Sequence, residues 1–357
     1  MILKLSASRA TLGLFIYLLT VFAPAYCLAL NNHDLNQIIQ SAEKGDVQAQ
    51  YLLGSIYLLG DDVKKDKNLG YQGEPQQKNF KKAVKWLKKA ARQGHVFSQF
   101  RLGGIYETQW FSGNVFDRSN GLKADSDAAI YWYRQAAKKG HKPSKDRMTY
   151  LMRFEIGVLQ KKAESGGAEA QCNLGRKYLS FGMDTGNQKY YREAMKWFKK
   201  AADQGFPEAQ YRLGNMYSYV KDKRKNNAGV KAVHWYRKAA VNGHAEAQYR
   251  LGSILCKGRY GVPEDDAKGI EWCEKAAYQG HILALKEMGG MYLSGENVPK
   301  DIVKAYSWYS VAVEKRRGGK YFEKYLQKVM KEMTSEQIAE GRKQAEILFK
   351  KIQKDNY

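Results

Sequence analysis

The side chains of widest chemical reach are six histidines, His33, His95, His141, His234, His244 and His281, and four cysteines, Cys27, Cys172, Cys256 and Cys273. A zinc site would need such ligands to converge, as in an HExxH helix or closely spaced Cys/His pairs, and no such spacing occurs. Four of the histidines (95, 141, 244 and 281) instead follow a glycine directly, which reads as turn architecture. Two SxxK strings, Ser41–Lys44 and Ser218–Lys221, have the spacing of a serine nucleophile and its lysine base but lack the accompanying elements of an acyl-enzyme. There is no GxSxG elbow and no GxxxxGK[ST] phosphate loop. Cys256 falls near the end of one expected helix and Cys273 about two turns into the next. At ~1.5 Å per residue their Cα atoms lie beyond the ~4.4–6.8 Å that a disulfide requires. The residues therefore predict no catalytic, cofactor or metal site.

The elements that carry these residues recur. Six of the seven tryptophans share one context, as in KWLKKAARQG, KWFKKAADQG and HWYRKAAVNG; they are Trp86, Trp132, Trp197, Trp235, Trp272 and Trp308. After the first five a glycine follows eight residues later, at Gly94, Gly140, Gly205, Gly243 and Gly280. A second module, as in VQAQYLLG, PEAQYRLG and AEAQYRLG, closes on Gly54, Gly103, Gly175, Gly214, Gly252 and Gly289. Each of these lies nine residues after a turn glycine, and the later units recur every 37 to 39 residues, the size of a two-helix repeat. Small and apolar residues at i, i+4, i+7 and i+8 make each module one helix with a buried stripe. Ala and Gly let two backbones approach closely, Trp and Tyr fill the grooves beside them, and the glycine between modules takes a left-handed terminating conformation. The six tryptophans are thus predicted to be repeat core.

The pattern AEAQYRLG with A..WYRKAAxxGH, as it stands in 245–252 and 232–244, resembles the Sel1-like repeats, relatives of tetratricopeptide repeats. The resemblance covers about residues 42–312, and LQKVMKEMTSEQIAEGRKQAEIL resembles the helical cap that ends such arrays. It implies an all-α, right-handed α-solenoid of stacked antiparallel helix pairs, working as a protein-binding adaptor or scaffold, in bacteria often in the envelope or at host contacts. One branch of the family carries paired cysteines in every repeat and includes proteins described as binding or hydrolysing β-lactams. The cysteines here do not match that pairing, so an envelope enzyme of this type is the less favoured alternative. The first helices of tetratricopeptide repeats line a concave groove. By that analogy Tyr51, Phe100, Tyr211 and Tyr249, three residues before the module glycines, form an aromatic ladder with Glu208 and Glu246 beside it. Such a ladder suits a protein or peptide partner.

The sequence departs from the pattern in three places. Gly54 to Trp86 spans 32 residues and Gly103 to Trp132 spans 29, where later units use 19 to 22. The surplus, 61–79 and 107–126, is rich in Gly, Asn, Asp and Lys and reads as surface loops. Trp110, the one tryptophan outside the repeat position, lies in the second of these with Phe111 and Phe116, as exposed binding anchors. Segment 141–166 keeps its turn glycine but loses both Gly and Trp, and reads as one longer helix dividing the array.

At the N-terminus, Lys4 and Arg9 precede the apolar run Ala10–Ala23, with small residues at Ala25, Cys27 and Ala29. This predicts a signal peptide over 1–29, a capping helix over 30–44, a repeat array over 45–317 (six units plus the degenerate one) and capping helices over 318–357. The expected mature chain is periplasmic or secreted. The 60 Lys and Arg against 36 Asp and Glu give a net charge of +24. Much of this falls beside the tryptophan stripe of the second helices and reads as a solvated face. Anionic lipid or an envelope polymer is the alternative partner, with nucleic acid least favoured in an exported protein.

Overall fold

The computed structural model describes residues 32–59, 77–111, 125–219, 227–315 and 320–354. The predicted signal segment and the tips of both inserted loops lie outside these residues. Among the described residues there are sixteen helices and no strand. The chain divides into two compact units, Met1–Glu155 and Ile156–Tyr357.

The first unit holds α1 (Asn32–Glu43), α2 (Val47–Leu59), α3 (Gln77–Arg92), α4 (Val96–Phe111), α5 (Ser126–Lys138) and the start of α6 (Lys142–Glu164). The second holds the end of α6, then α7 (Ala168–Thr185), α8 (Gln188–Asp203), α9 (Pro207–Ser218), α10 (Ala228–Val241), α11 (Ala245–Leu255) and α12 (Asp266–Tyr278). It closes with α13 (Ile282–Ser294), α14 (Ile302–Lys315), α15 (Lys320–Met330) and α16 (Ser335–Lys354). The degenerate segment is indeed one helix, of 23 residues, and the unit boundary falls within it.

Each pair closes on its module glycine. A Cβ at Gly214 would lie 2.5 Å from the Tyr236 ring, one at Gly103 the same distance from Tyr133, and one at Gly175 2.8 Å from Phe198. Gly54 meets Leu87, Gly252 meets Cys273 and Gly289 meets Tyr309 in the same way. The side chain on the glycine is thus the residue after each tryptophan, a tyrosine in three pairs, while the tryptophan lies beside it. Cys273 is buried because it occupies this position. Trp132, Trp197, Trp235 and Trp308 are buried, while Trp86 and Trp272 are half-buried and pack against the edges of their cores. A lysine one turn on covers four of the rings: Lys89 on Trp86 at 4.1 Å, Lys200 on Trp197 at 4.3 Å, Lys238 on Trp235 at 5.0 Å and Lys275 on Trp272 at 4.4 Å. Lysine ammonium groups therefore lie over the tryptophan rings they follow while their outer sides stay in water.

The turn glycines behave as predicted, with φ from +77° at Gly280 to +100° at Gly45. At the C-terminal end, α16 packs on α14 through Gly341, whose Cβ would lie 2.6 Å from Tyr306, and Phe322 and Ile352 are fully buried there. One correction concerns α4. It continues to Phe111, so Trp110 and Phe111 end a helix instead of lying in a loop; their side chains, and Phe116, fall outside the described residues.

Candidate functional site

The first-helix face is organised by the histidines at the turns. In the second unit, His244 caps α11: its Nδ1 accepts from the Ala247 N–H at 3.2 Å. With Nδ1 an acceptor, the ring proton sits on Nε2, which donates to Glu208 Oε2 at 2.9 Å. Arg212 Nε donates to the other oxygen of Glu208 at 2.6 Å. The Tyr211 ring stacks on His244, centroids 4.6 Å apart and planes 20° apart. The next turn repeats the arrangement. His281 Nδ1 accepts from Ala284 N–H at 3.2 Å, its Nε2 meets Glu246 at 2.7 Å, Arg250 reaches Glu246 at 2.8 Å, and Tyr249 stacks on His281 at 4.8 Å. The His244 hydrogen bond, with Arg212 adding to it against the effect of burial, holds the Glu208 carboxyl down at about 2. Glu246 is lowered by the same causes, His281 first.

In the first unit the same frame carries different side chains. Tyr51 packs on His95 at 4.6 Å and Phe100 on His141 at 4.9 Å, with Nδ1 of each histidine accepting from the Ser98 or Ser144 N–H at 3.2 and 3.3 Å. At the position of Glu208 and Glu246 stands Phe97, 45% exposed and edge-on to His141 at 5.8 Å. Burial, with Lys139 nearby, lowers the His95 pKa.

Below the histidines runs an amide ladder. Gln50, Gln99, Gln171, Gln210 and Gln248 are buried, and each donates to the alanine carbonyl eight residues earlier at 3.0–3.3 Å. Four of them then accept from an amide in the next turn: Gln93, Gln204, Asn242 and Gln279, at 2.7–3.0 Å. Lys139 replaces that amide opposite Gln99; its Nζ donates to Gly94 O at 2.7 Å, and Gln99 Oε1 is left without a partner. The recurring Gln of the first module and the Gln or Asn before the turn glycine were signals for this ladder that reasoning from apolar periodicity passed over.

A buried acid was also missed. Glu107 is 3% exposed, accepts from Tyr133 Oη at 2.6 Å and is ion-paired with Arg147. Burial and this carboxylate raise the Tyr133 pKa. A single, unrepeated carboxylate in a stretch of loop-like composition gave no sequence signal.

Of the predicted partner-binding residues, Tyr211 and Tyr249 are half-buried and share one face with the Glu208 and Glu246 clamps; Phe100 is half-buried and Tyr51 buried. Among the described residues no group of His, Cys, Asp and Glu is placed to hold a metal ion. Cys172, Cys256 and Cys273 are free, and burial pushes their thiols up to about 11, 11 and 12, so they stay protonated and weakly nucleophilic at neutral pH.

Helix pairs closed by a module glycine and joined by capped turns define an α-solenoid of two-helix repeats. A family model described as Sel1 repeat matches residues 47–72, 68–95, 96–141, 168–206, 207–244, 245–281 and 282–315. The chain belongs to the Sel1 repeat family. Its seven matches divide 47–95 into two and omit the degenerate helix. Among curated relatives, the chitin synthase regulator SKT5 of Saccharomyces cerevisiae is 28% identical over 172 residues, 44% of this chain and 23% of that protein. The F-box protein At1g70590 of Arabidopsis thaliana is 33% identical over 99 residues, 26% of this chain and 27% of that protein. The chain thus spans about a quarter of the length of these relatives. Among solved structures, a Sel1 repeat protein from Oxalobacter formigenes aligns at 26% identity and TM-score 0.42, over 90% of this chain and 87% of that one. A protective antigen of uropathogenic Escherichia coli strains, with an SLR fold, aligns at 24% and 0.38, over 90% and 73%.

Proposed function

We propose that the chain is an exported, non-catalytic scaffold that binds a protein or peptide partner through its first-helix face and inserted loops. Sel1 repeat proteins are generally protein-interaction scaffolds, and this chain is one of them. The observation that favours the first-helix face is the fixing of Tyr211 and Tyr249, each half-buried and stacked on a histidine that is itself held by a backbone N–H and a carboxylate. A ring already immobilised loses little further rotamer freedom when a partner covers its open face. Glu208 and Glu246 enter this reading as the groups that hold the histidines, their charges matched by Arg212 and Arg250. The partner side chains suited to such a face are apolar or aromatic, on an extended segment. Export rests on Lys4, Arg9, the apolar run Ala10–Ala23 and the small residues at 25, 27 and 29.

Two measurements test the reading. Partners captured on the purified chain at low and high salt are identified by mass spectrometry, and capture is repeated with Tyr211→Ser/Tyr249→Ser and with Trp110→Ser/Phe111→Ser. Loss of about 2 kcal/mol or more in either variant, at unchanged melting, locates the contact; retention in both removes these faces from consideration. N-terminal sequencing of the chain recovered outside the cytoplasm should begin at Leu30.

A further inference from the structure

The second helices are not alike in charge. On two second helices of the second unit a lysine is answered by an acid on the same helix: Lys199 by Asp203 at 2.5 Å on α8 and Lys275 by Glu271 at 2.6 Å on α12, while α10 has three basic residues and no acid. In the first unit, α3 has no such acids. From Pro75 to Tyr106 the sequence holds eight lysines and arginines and not one Asp or Glu. At the 100° step of an α-helix, Lys81, Lys82, Lys85, Lys88, Lys89 and Arg92 all fall within an arc of about 120°. The opposite face, Ala83, Val84, Leu87, Ala90 and Ala91, is buried, which fixes the basic face outward. All six are exposed except half-buried Lys88. Three stems are held against rings: Lys82 by Tyr57 at 5.4 Å, Lys88 by Tyr106 at 5.5 Å and Lys89 by Trp86 at 4.1 Å. Among the described residues, Lys81, Lys85 and Arg92 form no ion pair. Lys139, exposed and bonded to the Gly94 carbonyl just past the end of α3, extends the same charge.

We propose that this face of α3 docks onto an anionic lipid bilayer. Its six charges spread over ~16 Å of a rigid helix, the reach of several lipid headgroups. Five of the six are lysines, compact point charges without the planar fork that reads an individual carboxylate or phosphate, so the complement is a diffuse negative surface. The tryptophan beside these lysines is covered by Lys89, which disfavours base stacking on it. Clusters of about four to eight basic residues on an amphipathic helix are the usual size for anionic-headgroup attraction. This surface is separate from the first-helix face and stands without it.

The test is sedimentation of the purified full chain with vesicles of phosphatidylcholine alone and of an equal mixture with phosphatidylglycerol. The N-terminal apolar run would bind both compositions alike, so the readout is the difference between them. The difference should be large at low salt and vanish near 1 M, where the screening length is about 3 Å. Lys81→Gln/Lys85→Gln/Arg92→Gln should weaken binding to the mixed vesicles by about a hundredfold. A control removing three charges elsewhere, Lys268→Gln/Lys275→Gln/Lys343→Gln, should leave most of it, and circular dichroism should show both variants folded. Equal binding to both compositions, or equal losses in the two variants, would overturn the proposal. A loss in the α3 variant confined to binding of a single-stranded oligonucleotide, with vesicle binding intact, would assign the face to nucleic acid instead.

Discussion

The turns of the two units use one backbone frame and two different fillings. At two turns in each unit, a positive-φ glycine is followed by a histidine that caps the next helix and packs on the ring of the preceding first helix. In the second unit that histidine also binds Glu208 or Glu246, each already paired with an arginine; in the first, Phe97 stands where the carboxylate would be. What is shared is what the backbone needs, a cap and a tight turn. What differs is the outward partner of the imidazole, which the fold leaves free to vary.

Four experiments sharpen this contrast. The largest effect is expected within the shared frame: Trp235→Ala removes a buried ring and should cost ~3–5 kcal/mol by denaturant melting. Half-buried Trp86 should cost clearly less, and equal losses would show that burial does not set the difference. In a nearest-neighbour array the Trp235 variant should unfold second-unit helices first, measurable by hydrogen exchange. Next, Gly214→Ala drives a methyl into the Tyr236 ring and should cost ~1–3 kcal/mol, partly recovered by Tyr236→Leu, a smaller side chain already tolerated as Leu87 against Gly54.

Acid should then separate the two fillings. The Glu208 carboxyl sits at about 2 in the folded state against an ordinary 4.5, so its contribution is present above about pH 4.5 and is lost as pH falls toward 2. Second-unit protection in hydrogen exchange should decline through that window, and Glu208→Gln should flatten the decline. An unchanged profile in that variant would mean the clamp does not stabilise the turn. The smallest effect is the transplant: Phe97→Glu gives His141 the acceptor it lacks, should change stability by no more than about 1 kcal/mol, and should confer on the first unit an acid sensitivity of the second-unit kind.

Legibility in the sequence followed repetition. Turn glycines, module glycines and the tryptophan stripe recur at fixed offsets, so the helix pairs and their turns could be placed before any coordinates. The groove filler was legible only where it is a tyrosine, because its position repeats and its type does not: Leu87, Tyr133, Phe198, Tyr236, Cys273 and Tyr309 share no chemistry beyond bulk against glycine. The histidine clamps escaped because Glu208 and His244 are 36 residues apart and meet only when neighbouring units stack. Glu107 and the last turn of α4 were read as loop from local composition, which carries no information about the Tyr133 hydroxyl and the Arg147 guanidinium that wait for that carboxylate. Tyr51, Phe100, Tyr211 and Tyr249 do lie on first helices, but the sequence pattern marks their histidine neighbours only as turn residues.

The amide ladder has a consequence for how the chain can lengthen. Every unit keeps its module glycine nine residues after its turn glycine, whereas the connection from module glycine to tryptophan ranges from 19 to 32 residues. The first end is stitched by Gln248 to the Ala240 carbonyl and to Gln279 of the following turn, so one extra residue there would pull both bonds out of register. Among the described residues the other end is tied by single backbone bonds, such as Asp265 N–H to the Leu255 carbonyl at 3.0 Å and Asp301 N–H to the Tyr292 carbonyl at 2.9 Å, and not by a ladder of side-chain amides. The molecule therefore has a growing edge and a closed edge: a reporter peptide spliced into the 61–79 insertion, within the longest of these connections, should be carried silently, while a single alanine spliced between Gly243 and His244 should disrupt the join between two repeats.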